Sequence, residues 1–383
     1  MIGTRQLVAL TILAMGCRRP PEAPVYRTTD GAITVGNIDS QIDSWEHILK
    51  VLRPNSVQAM AGLVDLHQTK AQYFGKLGGF DRATELGELA VRTEPGSAEA
   101  RLLRAGNRAA LHRFSEASRD LAEAEKLGAN PREVRSLRAS IFQAQGKIEE
   151  ALALRRALAR ESPNVFTLGA LAAAETDPAA AAREYEQAIK VYRDTSPLPL
   201  AWIEFQRGLA AERAGQLELS LQHYLAATGR LPQYAQAQGH LAAVRALLGD
   251  KGAAEQILRQ LVSTTDDPEF AGQLAALTGD LAMRERASAR YEDLLAKYPQ
   301  AFADHAARFY LAFQPARALS LAQLNLQARQ TLEAYDLALS AAALSGDEKA
   351  GCALAAAAVF PGSHRIEALV ARACPSGKAL AQH

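Results

Sequence analysis

Aromatic residues are scarce in this chain of 383 residues, at 6% of the total, and cysteine occurs only three times. After Val35 the sequence has almost no alternating runs of Val, Ile, Thr and Tyr between turn residues, which argues against a fold built from β-strands. The net charge of +1 provides no concentrated cationic surface, so we expect no nucleic-acid partner. Alanine is abundant, and it favours closely packed helices. The composition therefore predicts an all-α protein.

Catalytic and metal-binding motifs are also lacking. None of the eight histidines belongs to an HExxH motif or to a pair four residues apart, so we predict no metal site. The sequence has no GxSxG, no GxxxxGK[ST], and no GxGxxG that opens a helix after a strand. Reactive thiols are not indicated, because no histidine pairs with a cysteine in a recognisable pattern. We predict no cofactor and no enzymatic activity.

The first 17 residues have the layout of a secretory signal. Arg5 precedes an apolar run from Leu7 to Met15, which is too short to span a bilayer, and Gly16 and Cys17 follow. This segment resembles the lipobox of bacterial lipoproteins, although Ala14 stands where that family usually has Leu. The resemblance implies a signal peptide at 1–16, lipid attachment at Cys17, and a location on the periplasmic side of the outer membrane. The alternative is ordinary cleavage before Cys17, which gives a soluble periplasmic or secreted protein.

Residues 17–39 are predicted to form a tether, because they contain three prolines and lack helical periodicity. Within them, Ala32 to Val35 is expected to be a short strand or simply extended chain. Ser40 is a candidate N-cap for a leading helix at 40–55, whose apolar stripe includes Trp45 and Ile48. Pro54 ends this helix.

A repeat of about 34 residues follows, marked by prolines from Pro95 to Pro299 and by a small residue early in each second helix. The best unit has Gly208 in its first helix, Tyr224 and Ala227 in its second, and Pro232 at its end. The pattern resembles the tetratricopeptide repeat, a helix–turn–helix unit. The resemblance implies a right-handed α-solenoid with repeats at 56–300, degenerate repeats at 301–360, and a C-terminal capping helix and tail at 361–383.

Cys352 and Cys374 lie on either side of a turn, and position 363 is 11 residues from each of them. In an antiparallel helix pair they would lie at the same height, close enough for a disulfide. An exported chain reaches an oxidising compartment, where a disulfide would persist. We predict this disulfide. The alternative is two buried small residues that never meet.

Arginine recurs at the same place in three first helices, at Arg104, Arg138 and Arg207. One interpretation is structural, with packed stems whose head groups find carbonyls or carboxylates. The other is a cationic ladder for an acidic peptide or a carboxylate. The aromatic pair Trp202 and Phe205 has two interpretations as well, an anchor for a peptide or helix, or filler at the joint after the irregular 194–200 loop.

The remaining candidate positions are those expected on the concave face. They are polar in the first half and small in the second, where they would open a groove: Gln68, Gln72, Lys76, Ser136, Ser140 and Gln143, then Gly239, Ala243, Gly272 and Ala276.

Together these features predict an exported, membrane-anchored scaffold that binds an unidentified protein or peptide in the cell envelope, and that meets the membrane only through its N-terminal lipid. One alternative is a periplasmic chaperone or assembly factor for envelope proteins, which a hydrophobic, adaptable groove would favour. Another is an enzyme or small-ligand binder with a site at 194–205 or 301–330, where the period breaks and a walled pocket would be its signature.

Overall fold

The structure, a computed structural model, describes residues 27–358, 360 and 363–377. Over these residues the chain forms twenty α-helices and no β-strand, which confirms the predicted all-α fold. The helices are α1 (Gly31–His47), α2 (Val57–Phe74), α3 (Gly79–Thr93), α4 (Ala98–Ala110), α5 (Phe114–Lys126), α6 (Pro131–Ala144), α7 (Ile148–Glu161), α8 (Val165–Ala174), α9 (Pro178–Val191), α10 (Leu198–Arg213), α11 (Leu217–Arg230), α12 (Ala235–Leu247), α13 (Lys251–Thr264), α14 (Pro268–Thr278), α15 (Leu281–Lys297), α16 (Pro299–Tyr310), α17 (Pro315–Leu326), α18 (Leu332–Ser345), α19 (Glu348–Ala357) and α20 (His364–Ala373). A single π-helical turn, Ile48–Leu52, follows α1.

From α2 to α19 the helices pack as consecutive hairpins, α2 with α3, α4 with α5, and so on to α18 with α19. Each hairpin also packs against the next one, and first helices touch across units, as α2 touches α4. A hairpin cannot bury both of its apolar stripes alone, so each unit depends on its neighbours. The predicted α-solenoid is confirmed. The region at 301–360, expected to be degenerate, forms two regular hairpins.

Gly208 shows why the repeat needs a small residue in its first helix. A Cβ on Gly208, in α10, would collide with Cε1 of Tyr224 in α11. The ring of Tyr224 is fully buried, and its hydroxyl donates a hydrogen bond of 2.6 Å to Oε2 of Glu212. The glycine therefore allows the two helices of this hairpin to approach closely, with an aromatic ring between them.

The N-terminal prediction needs correction. The sequence predicts a tether at 17–39 and an N-cap at Ser40, but in the described part of this segment α1 begins at Gly31, and Ser40 lies inside it. Asp30 is the cap: its Oδ1 accepts a hydrogen bond of 2.8 Å from the backbone N–H of Ala32. Ala32 to Val35 is thus helical, because the burial of Ile38 against the core of α10–α12 outweighs the local preference of β-branched residues. Residues 1–26, with the predicted signal peptide and Cys17, lie outside the described residues.

The solenoid closes on itself, a feature that the repeat pattern does not predict. The turn between α2 and α3 meets the turn between α13 and α14, far away in the sequence. Oδ1 and Oδ2 of Asp266 accept hydrogen bonds of 2.6 and 3.2 Å from the backbone N–H groups of Leu77 and Gly78. In return, the N–H of Asp266 donates to the carbonyl of Gly75 at 3.1 Å.

The same register continues for two more hairpins. Nδ1 of His112, in the α4–α5 turn, donates to the carbonyl of Gln300 near the start of α16 at 3.1 Å. The carbonyl of Gln145, in the α6–α7 turn, accepts from the N–H of Gln330 in the α17–α18 turn at 3.3 Å. Between the first two contacts, the hydroxyl of Tyr298 donates to Asp81 at 2.6 Å. We call this line of contacts between early and late turns the seam.

The C-terminal end is capped by α20, which packs on α18 and α19. A disulfide joins Cys352 of α19 to Cys374, the residue after α20, with their Cα atoms 4.7 Å apart. These are the two cysteines that the sequence analysis paired. Within the described residues, no helix combines the length and the apolar character needed to cross a membrane.

We expect Gly208→Ala to lower the stability of the fold by about 1–3 kcal/mol, because the new methyl group overpacks the buried ring of Tyr224. Gly106→Ala is the matched control: Gly106 lies inside α4, and a Cβ there would have no atom within 4 Å. It should stabilise the chain by about 0.5–1 kcal/mol through higher helix propensity. Chemical denaturation followed by circular dichroism measures both, and shifts of the same sign would contradict the packing account.

We expect acid to weaken the seam at His112. Burial, and then the charge of Arg329, lower the pKa of His112 to about 4, whereas the unfolded chain titrates near 6.5. Because the unfolded state then binds the proton first, stability is present above pH ~6.5 and falls as the pH drops towards 4, by about 3 kcal/mol at most.

The control for this prediction is His112→Asn. The backbone of His112 has a φ of 57°, a left-handed conformation that asparagine also tolerates, and the amide does not titrate. Unfolding free energies measured from pH 7.5 to 4 should fall less steeply for the variant than for the natural chain. Parallel curves would remove His112 as the acid-sensitive group.

Candidate functional site

The three arginines proposed as a cationic ladder are each paired with a carboxylate. Arg104 donates to Asp120 at 2.7 Å and to Glu88 at 2.8 Å, and its side chain is largely buried. Arg138 donates to Glu125 at 2.7 Å, and Arg207 lies 3.5 Å from Glu204. Their charges are therefore compensated within the chain, and the geometry favours the structural interpretation of this pattern.

The polar residues proposed on the concave face do not meet in one site. Nε2 of Gln68 donates to Oδ1 of Asn107 at 2.5 Å, and Nε2 of Gln143 donates to the carbonyl of Ala173 at 3.1 Å. Gln72 is exposed on α2. Lys76 lines a separate cavity of about 260 Å³ beside the seam. Only Ser136 and Ser140 belong to the cavity described below.

The groove expected from small residues in the second half is filled at Gly239 and Gly272. A Cβ on Gly239 would come within 2.6 Å of Cε1 of Phe270, and one on Gly272 within 2.9 Å of Cδ2 of Phe309. In both cases the first helix of the following hairpin supplies the ring. The glycines thus accommodate aromatic packing between neighbouring units, and the predicted groove at these positions is wrong.

The aromatic pair separates into two roles. Phe205 is only 5% exposed, and its ring lies 5.1 Å from that of Tyr234 and 5.9 Å from that of Tyr224, so it belongs to the core. Trp202 is half-buried: it covers Gly169 of α8, and it also lines a cavity. The interpretation of Phe205 as an anchor for a peptide or helix is wrong, because α12, in the next hairpin, packs over it.

This cavity is the candidate site. It has a volume of about 490 Å³, within the range of ligand pockets, and it lies among α6, α7, the start of α8 and the start of α10. Tyr73 of α2, four hairpins earlier than α10, completes the wall. We call it the α6–α10 cavity. Its lining residues are Tyr73, Arg132, Glu133, Ser136, Ser140, Arg155, Leu158, Ser162, Asn164, Val165, Phe166, Thr167, Ala170, Pro199 and Trp202.

An exposed aromatic side chain stands in this cavity lining. Phe166 is 69% exposed, the highest value among the large hydrophobic side chains of the described residues. It occupies the first turn of α8, where Oδ1 of Asn164 accepts hydrogen bonds from the N–H groups of Phe166 and Thr167 at 2.9 and 3.1 Å. This capping box fixes the start of the helix, so Phe166 is held on an ordered backbone.

Arg155 is the buried cation of the cavity. It is 8% exposed, and its Nη2 donates to Oγ of Ser140 at 2.7 Å. Nε is buried without a hydrogen-bond partner, and no carboxylate of the described residues forms an ion pair with the guanidinium. Burial lowers the pKa of Arg155 from its usual value. The sequence signal was present, because Arg155 stands where the repeat pattern has a large apolar residue; Phe166 gave no such signal.

A second polar cluster lies in the 301–330 region named for the alternative site. Nδ1 of His305 is 3.3 Å from Oε2 of Glu269, and Arg329 donates to Oδ2 of Asp304 at 3.0 Å. The carboxylate of Asp304, then the contact with Glu269, raise the pKa of His305 to about 9. Opposite charges thus balance in this network, which links α14, α16 and the turn before α18. No group of three or more His, Cys, Asp or Glu side chains suited to a metal ion occurs among the described residues.

Comparison with known proteins finds likenesses among solved structures. No family model matches the chain, and no curated protein does. The crystal structure of a tetratricopeptide repeat protein from Parabacteroides merdae aligns with 70% of this chain and 99% of its own, at 14% identity and a TM-score of 0.39. The architecture therefore rests on this chain's own helix packing, and its consecutive hairpins fit a tetratricopeptide-like protein.

Proposed function

We propose that this chain is an exported, membrane-anchored scaffold that binds a segment of a partner protein at the α6–α10 cavity. The observation that carries the proposal is the exposure of Phe166. Its aromatic side chain is 69% exposed at the ordered start of α8, and it lines the cavity together with the half-buried Trp202. Exposed aromatic side chains at the edge of a concavity are typical anchors for partner proteins.

The seam supports this role because it braces the wall of the cavity. Tyr73 reaches the cavity from α2, and two backbone N–H groups of the turn after α2 donate hydrogen bonds to the carboxylate of Asp266. A surface that is already ordered loses little conformational entropy on binding, which leaves more of the contact energy for affinity. The anchoring part of the proposal rests on the N-terminal sequence, with its apolar run followed by Cys17.

The anchor is tested by Cys17→Ser. We expect the natural chain to fractionate with membranes and to carry a lipid-sized addition in its intact mass, and we expect the variant to lose both. An unmodified chain that retains Met1 in the cytoplasm would refute the export and anchoring part of the proposal.

The binding surface is tested by placing the photo-cross-linker p-benzoylphenylalanine at position 166 in cells. A discrete adduct is expected there because the side chain projects beside the cavity. The control is the same cross-linker at Leu247, which is 67% exposed at the end of α12 and outside this cavity. An adduct from position 166 alone supports the surface; equal adducts from both positions, or none from 166, refute it.

A further inference from the structure

The α6–α10 cavity contains a buried positive charge that the chain itself does not neutralise. Arg155 is 8% exposed, and its described contacts are with a single neutral hydroxyl, that of Ser140. Two less deeply buried arginines are paired differently: Arg104 and Arg108 share Asp120 at 2.7 Å each, and both also reach Glu88. Arg155 is thus an exception to the way this solenoid buries cations.

Such an arrangement is costly to keep for structure alone. Removing a charge from water without a counter-ion is unfavourable, and a large apolar side chain at the same place would be neutral or stabilising. The repeat pattern has a large apolar residue at this position, so an apolar side chain suits its surroundings. A guanidinium retained there without a carboxylate partner, and lining a cavity, is suited to an anion supplied from outside.

We propose that the α6–α10 cavity binds the carboxylate of a ligand through Arg155 and Ser140, with an adjoining aromatic or large aliphatic group against Trp202 and Phe166. This inference rests on the proposed function and names the chemistry of the bound segment. Arginine is the side chain best matched to a carboxylate, because its planar N–H groups donate in parallel to the two oxygens. Trp202, Phe166, Leu158 and Val165 supply the apolar part of the lining.

The charges around the cavity select a single negative charge. Arg132 and Arg155 line it together with the carboxylate of Glu133, which leaves a net formal charge of +1. Arg132 already forms an ion pair with Glu161, at 3.8 Å, and its side chain is 61% exposed. It is therefore a weaker partner for a ligand than Arg155. Glu133 would repel a second negative charge. A monoanionic carboxylate therefore fits this site better than a phosphate dianion.

The test compares acids with their neutral amides by isothermal titration calorimetry on the folded full-length mature chain. One pair is 3-phenylpropionate and 3-phenylpropionamide. The other is the tetrapeptide Ala-Ala-Leu-Phe with a free carboxylate and with a C-terminal amide. We expect each acid to bind about tenfold or more tightly than its amide, because only the acid pairs with the guanidinium. If the peptide acid binds more tightly than 3-phenylpropionate, the source of the carboxylate is a protein segment. If 3-phenylpropionate binds more tightly, the source is a small molecule.

The variants are Arg155→Met and, as a matched control, Arg160→Met, which removes an exposed arginine from the same helix. Arg155→Met should lose the preference for acids, keep its affinity for the amides, and raise the melting temperature because a buried charge without a counter-ion is gone. Arg160→Met should change none of these. A residue that only held the fold together would give the opposite shift in melting temperature.

Four results would each overturn the carboxylate site. They are equal binding of acid and amide, no binding of either acid, unchanged acid binding by Arg155→Met, and a lower melting temperature of that variant without an effect on acid binding. The partner surface is judged separately, because the adduct from position 166 does not depend on Arg155. An adduct from position 166 without a preference for acids would support the partner surface and refute the carboxylate site. A preference for acids without an adduct would support the carboxylate site and refute the partner surface.

Discussion

The closure of the solenoid along the seam is the constraint on which the rest of this structure depends. In an open array of helical hairpins, each unit touches only its neighbours. Here three successive hairpin turns meet three later turns in constant register, through Asp266, Gln300 and Gln330. A buried cluster that includes Leu77, Leu111 and Phe302 follows the same line. The ends of a long helical ribbon are thereby fixed relative to each other, although no local feature of the repeat requires it.

The seam and the cavity are linked through α2. This helix ends where the first seam contact begins. The ring of its Tyr73 packs at a tilt against that of Tyr234, with centroids 4.8 Å apart, and also lines the α6–α10 cavity. The cavity is thus bounded by hairpins that are distant in the sequence. Its two unusual residues, Arg155 and Phe166, break the general rules of the solenoid, since one is a buried cation without a carboxylate and the other an exposed aromatic ring.

Much of the fold could be predicted from the sequence, because the helical hairpin is a local structure. Proline spacing and the recurrence of small residues in the second helices located the hairpins, and Gly208 opposite Tyr224 shows why a small residue is needed in a first helix as well. What could not be predicted depends on distant packing. Phe270 and Phe309 fill the space that Gly239 and Gly272 leave, and the core of α10–α12 draws the segment after Asp30 into a helix. The candidate site could be predicted in part, through Ser140 and Trp202, whereas Arg155 stands out in the sequence only as a charged residue where the repeat pattern has a large apolar one.

The seam also restricts how this chain can change in length during evolution. Repeat proteins commonly gain or lose units by duplication and deletion, since a new hairpin needs only to match its neighbours. Insertion of one hairpin between α7 and α13 would move Asp266 a whole unit away from Gly75, and the contacts at His112 and Gln145 would shift with it. The number of units between the two sides of the seam is therefore fixed, as it is in a ring. Growth or loss of units is compatible with this architecture outside that stretch, as beyond α17, towards the disulfide-linked end.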